Sequence, residues 1–379
     1  MIIGIICEYN PFHNGHLYHL KKIKEMYKDS TIILVMSGNI TQRGDISIIN
    51  KWNKTDIALH YGIDLVVELP FMYASSSSDI FCKGAIEILK ELKVNKIIFG
   101  SELNNIDLLY KLADIQINNK EYNKLIKTYL DNGYSYPSSC GKALYDITKI
   151  NINNPNDILG LGYIKEILLQ KANIEAISIK RTNDYNSLEL ANDITSATSI
   201  RKALKDKKDV KDYVPEYTYK YLNNLIFLDD YFNLIKYKIL TDDIIRYVGV
   251  DEKLKNRIIK YINECNSLED LIMKVKCKNY TYNRIKRTLV NILVGLTSND
   301  ITNNYIRILG FNKKGRVYLN KIKKDIKIPV ITNYSNSKGL LDLEYKINCV
   351  LALCLPTQKQ KDFIEKEKNQ KIIFFEENV

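Results

Sequence analysis

Residues 2–20 read IIGIICEYNPFHNGHLYHL, and the architecture of the chain follows from this stretch. Its first five residues form an apolar run, which predicts a buried β-strand over residues 2–6. Apolar residues then recur at helical spacing over residues 14–28, which predicts an amphipathic helix. Pro11 and Gly15 mark the turn between the two. A strand that leads through a short turn into a helix begins a β-α unit, so we expect a sheet with parallel strands.

The same alternation of strands and helices continues to about residue 204. Further strands are predicted at residues 31–36, 65–69, 96–99 and 177–179. Helices are predicted at residues 51–61, 79–92, 107–139 with an irregular end at 132–134, 155–171 and 196–204. Because the strands up to residue 99 contain continuous apolar runs, they indicate a parallel sheet with helices on both faces. The predicted fold class is α/β, a Rossmann-like doubly wound parallel sheet, in which ligands bind beyond the carboxyl ends of the strands.

The second half of the chain has a different pattern. Leu, Ile and Tyr recur between lysines to about residue 295, which predicts a mainly helical region. The last portion is mixed, with short strands expected at residues 328–331 and 371–375. We therefore expect two domains, residues 1–204 with the α/β sheet and residues 205–379 as a basic, mainly helical domain.

Charge is distributed unequally between the two halves. Residues 1–200 contain 21 Lys and Arg against 22 Asp and Glu, a net charge of −1, whereas residues 201–379 contain 35 against 22, a net charge of +13. A codon bias that enriches lysine acts on the whole chain and does not explain this difference. The difference is typical of a protein that performs chemistry in one domain and holds a polyanion with the other. A solvated lysine-rich surface is the alternative explanation.

The composition also bears on location. No stretch approaches the roughly 18 apolar residues that a membrane span requires, so we expect no membrane contact. The seven cysteines are scattered without a CxxC pair, which predicts reduced thiols rather than disulfides or a zinc site. Together these features predict a cytoplasmic protein.

Three of the four histidines in the chain, His13, His16 and His19, lie within seven residues. They fall between the first strand and the first helix, where free backbone N–H groups attract phosphate. Two imidazoles there can donate hydrogen bonds to phosphate oxygens as charge builds on them, and Gly15 lets a nucleotide approach closely. A metal site built on the i, i+3, i+6 spacing and a purely structural cluster are the alternatives.

A second motif, Ser196-Ala197-Thr198-Ser199-Ile200-Arg201, follows the last predicted strand of the sheet. Hydroxyl groups that open a helix, with an arginine one turn later, can cap the helix and hold departing phosphates. A simple helix cap is the alternative. The pairing of this motif with His13-Asn14-Gly15-His16 favours phosphate binding, because nucleotidyltransferases with an HxGH motif and class I aminoacyl-tRNA synthetases use a similar late motif. We therefore expect His13, His16 and Arg201 to stabilise charge on a phosphate chain.

Ordered blocks of sequence make a more specific resemblance. They are residues 2–20, Met36-Ser37-Gly38-Asn39, Gln42-Arg43-Gly44, Lys51-Trp52, Val67-Glu68-Leu69-Pro70-Phe71, Phe99-Gly100-Ser101-Glu102, 155–160 (PNDILG) and 308–312 (ILGFN). In this order they resemble the bacterial tRNA(Met) cytidine acetate ligase family over essentially the whole chain. Two positions depart from the family pattern, since an acid is expected at Asn50 and an arginine at Lys54, which puts a salt-bridged role for that pair in doubt.

The resemblance implies a reaction and its substrates. ATP and acetate would form acetyl-adenylate, with Mg²⁺ expected to neutralise phosphate charge, and the acetyl group would pass to the exocyclic amine of the wobble cytidine of elongator methionine tRNA. No metal site within the chain itself is predicted. The resemblance also implies an ATP site formed by Cys7, through its main chain, Glu8, Tyr9, Asn10, Pro11, Phe12, His13, Asn14, Gly15, His16, Leu17, Tyr18, His19, Leu20, Gly100, Asn156 and Arg181.

Further candidates come from charge and position. Asp45 and Glu68 lie near strand ends and are candidates to assist the chemistry, against a structural or solvated role. Arg43 is a candidate to face acetate or RNA, with a structural pairing as the alternative. Basic residues interleaved with tyrosines suit a folded RNA. The candidates for tRNA contact are Lys276, Lys278, Arg284, Arg287, Lys313 and Arg316.

Two other functions compete with the ligase. One is an adenylyltransferase that acts on a small phosphorylated molecule, although such an enzyme needs no basic region of this size. The other is an RNA-binding protein with a vestigial nucleotide site, against which the intact pairing of the two motifs argues.

Overall fold

The computed structural model describes residues 1–181, 195–223 and 225–376. Across these residues the strands are β1 Ile2–Cys7, β2 Thr31–Ser37, β3 Leu65–Leu69, β4 Lys96–Ser101, β5 Glu175–Lys180, β6 Ile306–Asn312, β7 Val330–Ile331 and β8 Ile373–Phe375. The helices up to β5 are α1 Asn14–Met26, α2 Lys51–His60, α3 Phe71–Ala74, α4 Ser78–Glu91, α5 Ile106–Asn118, α6 Lys120–Asp131, α7 Tyr136–Thr148 and α8 Pro155–Leu169. The later helices are α9 Ala197–Lys205, α10 Glu216–Tyr219, α11 Phe232–Thr241, α12 Glu252–Ile262, α13 Leu268–Val275, α14 Tyr282–Val294, α15 Lys313–Ile322, α16 Asp342–Ala352 and α17 Thr357–Asn369.

Five parallel strands form the centre of the sheet in the order β5-β4-β1-β2-β3. All seven residues of β2 are buried because helices cover both faces of the sheet. Ile33 and Val35 face a core shared with α4, α5 and α8, and Ile32 and Leu34 face a second core shared with α1 and α2. The predicted doubly wound α/β sheet is confirmed.

The C-terminal strands extend this sheet. Strand β6 pairs antiparallel with β3, so that Glu68 lies opposite Arg307, and β7 and β8 both pair with β6. The short strands expected near residues 328–331 and 371–375 are confirmed as β7 and β8. The predicted elements do not include β6, whose apolar run is interrupted by Arg307 and Gly310. Its partner β3 lies about 240 residues earlier, so the second half of the chain contributes strands to the sheet as well as helices.

The predicted helix over residues 107–139 is wrong as a single element. The structure divides it into α5, α6 and α7. The Asn119 side chain accepts hydrogen bonds from the backbone N–H groups of Glu121 and Tyr122 and so starts α6 as a new helix. Gly133, with φ of 77°, ends α6 before α7 begins.

The region from α10 to α14 is helical, as predicted, and residues such as Ile235 and Leu289 form a core to which Ile40, Ile46 and Phe71 of the first half also belong. The described part of the chain contains no helix that is long and apolar enough to cross a membrane. The division into two domains at residue 204 stays a prediction.

Candidate active site

The turn between β1 and α1 places two histidines at a helix N-terminus. His13 caps α1, and its Nδ1 accepts a hydrogen bond from the Gly15 backbone N–H at 3.0 Å. The Nδ1 of His16 accepts a hydrogen bond from the His13 backbone N–H at 3.2 Å. Because both Nδ1 atoms are acceptors, the hydrogen-bond network assigns the proton of each neutral ring to Nε2. Each ring therefore keeps one N–H donor for the cavity that both residues line.

Burial lowers the pKa of all three clustered histidines. It lowers the pKa of His13 from 6.5 to about 3, and the charges of Arg181 and Arg201 add to the effect. Burial and Arg181 lower the pKa of His19 to about 4. The pKa of His16 falls well below its ordinary value through burial and then through His13. These histidines are therefore neutral at pH 7 and act as hydrogen-bond donors rather than cations.

Arg201 extends from α9 to the same turn. The helix begins at Ser196, whose Oγ accepts from the Ser199 backbone N–H at 3.1 Å, so this motif does cap a helix. One turn later, Arg201 donates from Nη1 to the Asn10 carbonyl at 2.7 Å and from Nη2 to Thr198 Oγ1 at 3.4 Å. The cap and the placement of a guanidinium beside the histidines are thus compatible.

Asn156 and Arg181 meet at one acid that was not among the predicted residues, and Gly100 lies beside the arginine. The Asn156 side chain donates to Glu102 Oε1 at 2.6 Å, and Arg181 Nε lies 3.6 Å from the same oxygen. A Cβ on Gly100 would come within 3.1 Å of Arg181 Cγ, so glycine leaves room for the arginine. The FGSE block carried the signal for Glu102, which directly follows the β4 strand end.

The histidine turn and Arg201 border a cavity of about 620 Å³ at the carboxyl ends of the parallel strands, a volume within the usual range for small-molecule sites. Of the predicted ATP-site and catalytic residues, those that line it are Cys7, Glu8, Tyr9, Asn10, His13, Gly15, His16, Tyr18, His19, Gly100, Asn156, Arg181 and Arg201. Arg43 and Asp45 also line it.

Five residues of the predicted ATP loop support the turn instead of lining the cavity. Phe12 and Leu20 are buried in the core, and Leu17 packs against that core. Pro11 follows a cis peptide bond, and the Asn14 side chain donates to the Asp212 carbonyl at 2.8 Å. Helical spacing explains the positions of Leu17 and Leu20, because side chains on the inner face of α1 point toward the sheet.

Cys7 presents a neutral thiol. Burial raises its pKa from 9.0 to about 12, with an opposing contribution from a hydrogen bond with Tyr9. A thiol with this pKa is a poor nucleophile at pH 7, since the thiolate is the reactive form. The main chain of Cys7 is therefore the more suitable contact for a ligand.

Lys54 holds the ends of two strands together. Its ammonium donates to the carbonyls of Glu8 at 2.9 Å, Ser37 at 2.8 Å and Gly38 at 2.8 Å. Burial lowers the pKa of Lys54 to about 7. Asn50 caps α2 by accepting from the Asn53 backbone N–H at 3.0 Å. The two residues that depart from the family pattern thus have separate structural roles.

Glu68 has a structural role away from the cavity. It is fully buried and pairs with Lys51 at 2.8 Å and Arg307 at 3.0 Å, and both cations also pair with Glu367. This buried ion cluster joins α2, β3, β6 and α17. These contacts support a structural role for Glu68 rather than a role in the chemistry.

The basic candidates separate into two groups. Arg287 lines the cavity, Arg284 pairs with Asp251 at 3.0 Å on the surface, and Lys278 lies over the Tyr134 ring. Lys276 is exposed near them. Lys313 and Arg316 instead lie on α15.

Helix α15 is at the opposite edge of the sheet. A Cβ on Gly315 would overlap the carbonyl of Asp64, and Asp64 directly precedes β3, so α15 packs at the amino ends of the parallel strands. A strand of seven residues is roughly 20 Å long. The two basic groups are therefore not brought together.

Helix α14 and its cap place Arg287, which was predicted to contact tRNA, at the cavity together with residues that sequence patterns did not identify. Thr281, Asn283 and Arg287 line the cavity together with Tyr122 and Tyr136 from α6 and α7. No local pattern links these segments to the first turn, because only tertiary packing brings them there. Among the described residues, no three His, Cys, Asp or Glu side chains are grouped so as to hold a metal ion.

Comparison with known proteins agrees with this geometry. The HIGH Nucleotidyl Transferase family model matches residues 1–367. The tRNA(Met) cytidine acetate ligase of Caldicellulosiruptor saccharolyticus is 41% identical over 372 residues, which covers 92% of this chain and 93% of that protein. The protein of the same name from Clostridium perfringens is 39% identical, and the match covers 94% of this chain and 96% of that protein.

Solved structures are also similar. Apo Thermotoga maritima TmcAL has a TM-score of 0.91 at 31% sequence identity, and the match covers 99% of each chain. The same protein bound with alpha-thio ATP has a TM-score of 0.88 at 31% identity, again over 99% of each chain. The chain therefore belongs to the HIGH Nucleotidyl Transferase family, and within it to the tRNA(Met) cytidine acetate ligases.

Proposed function

We propose that this protein activates acetate with ATP and transfers the acetyl group to the exocyclic amine of the wobble cytidine of elongator methionine tRNA, forming N4-acetylcytidine. The observation that carries the proposal is the pair of neutral histidines at the N-terminus of α1, which line a cavity of nucleotide size together with Arg201. The names of the relatives supply the acetate and the tRNA cytidine.

In the first step an acetate oxygen attacks the α-phosphorus of ATP and pyrophosphate leaves. Negative charge grows on the leaving phosphates as the bond breaks, and donors that are already in place stabilise it. His13 and His16 supply two neutral N–H donors, and Arg201 supplies a positive charge. No side chain is required as a covalent nucleophile, since acetate itself is the attacking group.

In the second step the cytidine amine attacks the carbonyl carbon of acetyl-adenylate. The carbon–nitrogen bond forms, the bond to the phosphate oxygen breaks, and AMP leaves while the amine releases one proton. The base has to leave the anticodon stack to reach the cavity. Because AMP is a good leaving group, positioning of the amine contributes more than acid–base catalysis.

Mg²⁺ is proposed to enter with ATP. The cavity lining contains the carboxylates of Glu8, Asp45 and Asp79. Glu8 accepts from the Gln42 backbone N–H at 2.6 Å, Asp45 is paired with Arg201 and Lys286, and Asp79 is paired with Lys165. Mg²⁺ is commonly held by substrate phosphates with one or two carboxylates. The donor set thus suits an ion bound mainly by the phosphates, where it would neutralise their charge.

We further propose that residues 1–204 provide most of the ATP site and that residues 205–379 hold the tRNA. Arg287 lies at the cavity and has Lys276, Lys278 and Arg284 on neighbouring parts of the same region, which supports an RNA path that ends at the cavity. The proposed location is the cytoplasm, in keeping with seven free thiols.

The test uses the full-length protein with ATP, labelled acetate and two transcripts of elongator methionine tRNA, one natural and one with the wobble cytidine replaced by uridine. We expect label in N4-acetylcytidine of the first transcript and none in the second, which lacks the exocyclic amine. Absence of label from the RNA would contradict the ligase proposal. ATP consumption without acetate would favour a small-molecule adenylyltransferase, and RNA binding without ATP consumption would favour a vestigial site.

A further inference from the structure

A short hairpin over residues 40–46 contacts both the turn that carries His13 and His16 and helix α14. Its two sides are joined by a β-bridge between Ile40 and Ile46. Its tip is closed by hydrogen bonds from the Thr41 N–H to the Asp45 carbonyl and from the Gly44 N–H to the Thr41 carbonyl, both at 2.9 Å. These bonds fix the hairpin backbone from which the Asp45 side chain extends.

The Asp45 carboxylate lies between two cations from distant parts of the chain. One oxygen is 3.6 Å from Arg201 Nη2, and the other pairs with Lys286 of α14. All three side chains are largely buried, with Lys286 only 14% exposed. Burial opposes ionisation of Asp45, but Lys286 and Arg201 outweigh burial and lower its pKa. Asp45 is thus a charged group at the edge of the phosphate site.

Close packing keeps α14 against the hairpin. Gly44 has φ of 76°, and a Cβ there would come within 3.0 Å of the Arg287 backbone nitrogen. Arg287 also donates from Nη1 to the Gln42 carbonyl at 3.4 Å. The backbone contact needs a residue without a side chain, so glycine at position 44 lets α14 approach.

We infer that Asp45 is a positioning residue, which orients Arg201 for the adenylation step and, through Lys286, makes α14 part of the phosphate site. Asp45 shares the charge of two cations and restrains a guanidinium that also donates to Asn10 and Thr198. Without Asp45 the site gains one uncompensated positive charge, but Arg201 loses part of its orientation. Binding of ATP in the ground state should then become tighter, whereas stabilisation of the transition state should become weaker.

This inference rests on the proposed function, and charge-changing variants test it. For Asp45→Asn we expect the Kd for ATP to fall roughly threefold to tenfold because one negative charge is removed near the phosphates. The kcat of acetate-dependent pyrophosphate release should fall about tenfold or more. For Lys286→Met we expect the Kd for ATP to rise. The negative charge of Asp45 is then balanced by one cation fewer, so it repels the phosphates of ATP more strongly. The double variant should restore the Kd and keep the low kcat.

Asp229→Asn is the matched control. Asp229 pairs with Lys205 on the same helix as Arg201, but both groups are about half exposed and neither lines the cavity. This variant should leave the Kd for ATP and kcat unchanged. Thermal unfolding measured on each variant confirms that it is folded at the assay temperature.

Asp45→Glu separates position from charge if the asparagine variant is unstable. It keeps the negative charge, so the Kd for ATP should stay within about twofold while kcat falls, because the carboxylate is displaced by one methylene. A shift of the Kd for ATP in the same direction in Asp45→Asn and Lys286→Met would overturn the inference. So would an unchanged kcat in Asp45→Asn. Calorimetric ATP binding is independent of acetate and RNA, so failure of the ligase proposal is recognised separately in the wild-type protein.

Discussion

His13 and His16 use their Nδ1 atoms to complete the first turn of α1, which leaves the Nε2–H groups for the nucleotide. We therefore predict that His16→Asn lowers kcat for adenylate formation by roughly 10²–10³-fold, the usual effect of removing one donor to a developing charge. Asparagine places an acceptor near the former Nδ1 position, so the helix start is retained. Pyrophosphate release and thermal unfolding measure the two effects.

The control is His60→Asn. His60 is exposed and stacks on Tyr217 with ring centroids 3.8 Å apart, outside the cavity lining. Its replacement should leave kcat unchanged. If His16→Asn retained wild-type kcat with normal folding, the assignment of His16 as a phosphate donor would be wrong.

The neutral histidines also predict how stability depends on pH. The pKa of His13 is about 3 in the folded protein and near 6.5 when exposed, so between these values the unfolded chain binds more protons. Stability should fall as pH is lowered below about 6.5 and should gain nothing from His13 above that pH. Thermal unfolding midpoints between pH 7 and pH 5 measure this effect, and His13→Asn should reduce the slope. An equal slope in both proteins would contradict the buried neutral state.

At the scale of elements, α14 and α15 differ in where they present their cations. Helix α14 borders the cavity at the carboxyl ends of the parallel strands, whereas α15 packs at the amino ends. The proposed RNA has to deliver a base to the cavity, so cations near α14 are the ones that position it. Net charge alone would not distinguish the two helices.

We predict that Lys276→Ala combined with Lys278→Ala weakens tRNA binding and makes it less sensitive to salt. The slope of log K against log salt should decrease by up to about 1 for each phosphate that is no longer neutralised. The matched control, Lys313→Ala combined with Arg316→Ala, removes the same number of charges from the opposite edge and should have a smaller effect on both quantities. Fluorescence anisotropy with labelled tRNA at several salt concentrations measures the difference. A larger effect from the α15 pair would place the RNA on the other edge of the sheet.

At the scale of the whole molecule, a buried ion cluster ties the two ends of the chain together. Arg307 of β6 pairs with Glu68 of β3 and Glu367 of α17, and Lys51 of α2 pairs with both acids. Two cations and two anions balance one another, and the Asn348 side chain donates to Glu367 at 3.0 Å. Removing one partner leaves a buried charge without compensation, which is far more costly than removing a surface pair.

We predict that Arg307→Met destabilises the fold by about 3–5 kcal/mol and lowers the thermal midpoint by roughly 5 °C. Arg246→Met is the control, since Arg246 pairs with Asp242 at 3.0 Å but is 56% exposed, and it should cost about 1 kcal/mol or less. Thermal unfolding followed by circular dichroism compares the two variants. Equal midpoints would show that the cluster is not needed to join β6 to the sheet.

Local patterns predict much of this molecule because they report properties that a segment carries alone. The strands from β1 to β4 each contain an apolar run, and the first helices have regular spacing, so both could be identified without knowledge of their partners. Asn119, which divides a long helical stretch, shows where such patterns fail. Its capping hydrogen bonds compete with continuation of the helix, and periodicity alone does not weigh that competition.

The amino-acid sequence was enough to establish the α/β class, the histidine turn, the late arginine motif and the family, because each depends on residues close together in the chain or on ordered blocks. Tertiary packing was needed for the rest. It brings β6 beside β3, gathers Asn156 and Arg181 around Glu102, and places Lys286 against Asp45. These contacts join residues separated by about 50 to 240 positions, and no periodicity in the chain encodes which distant surfaces will pack.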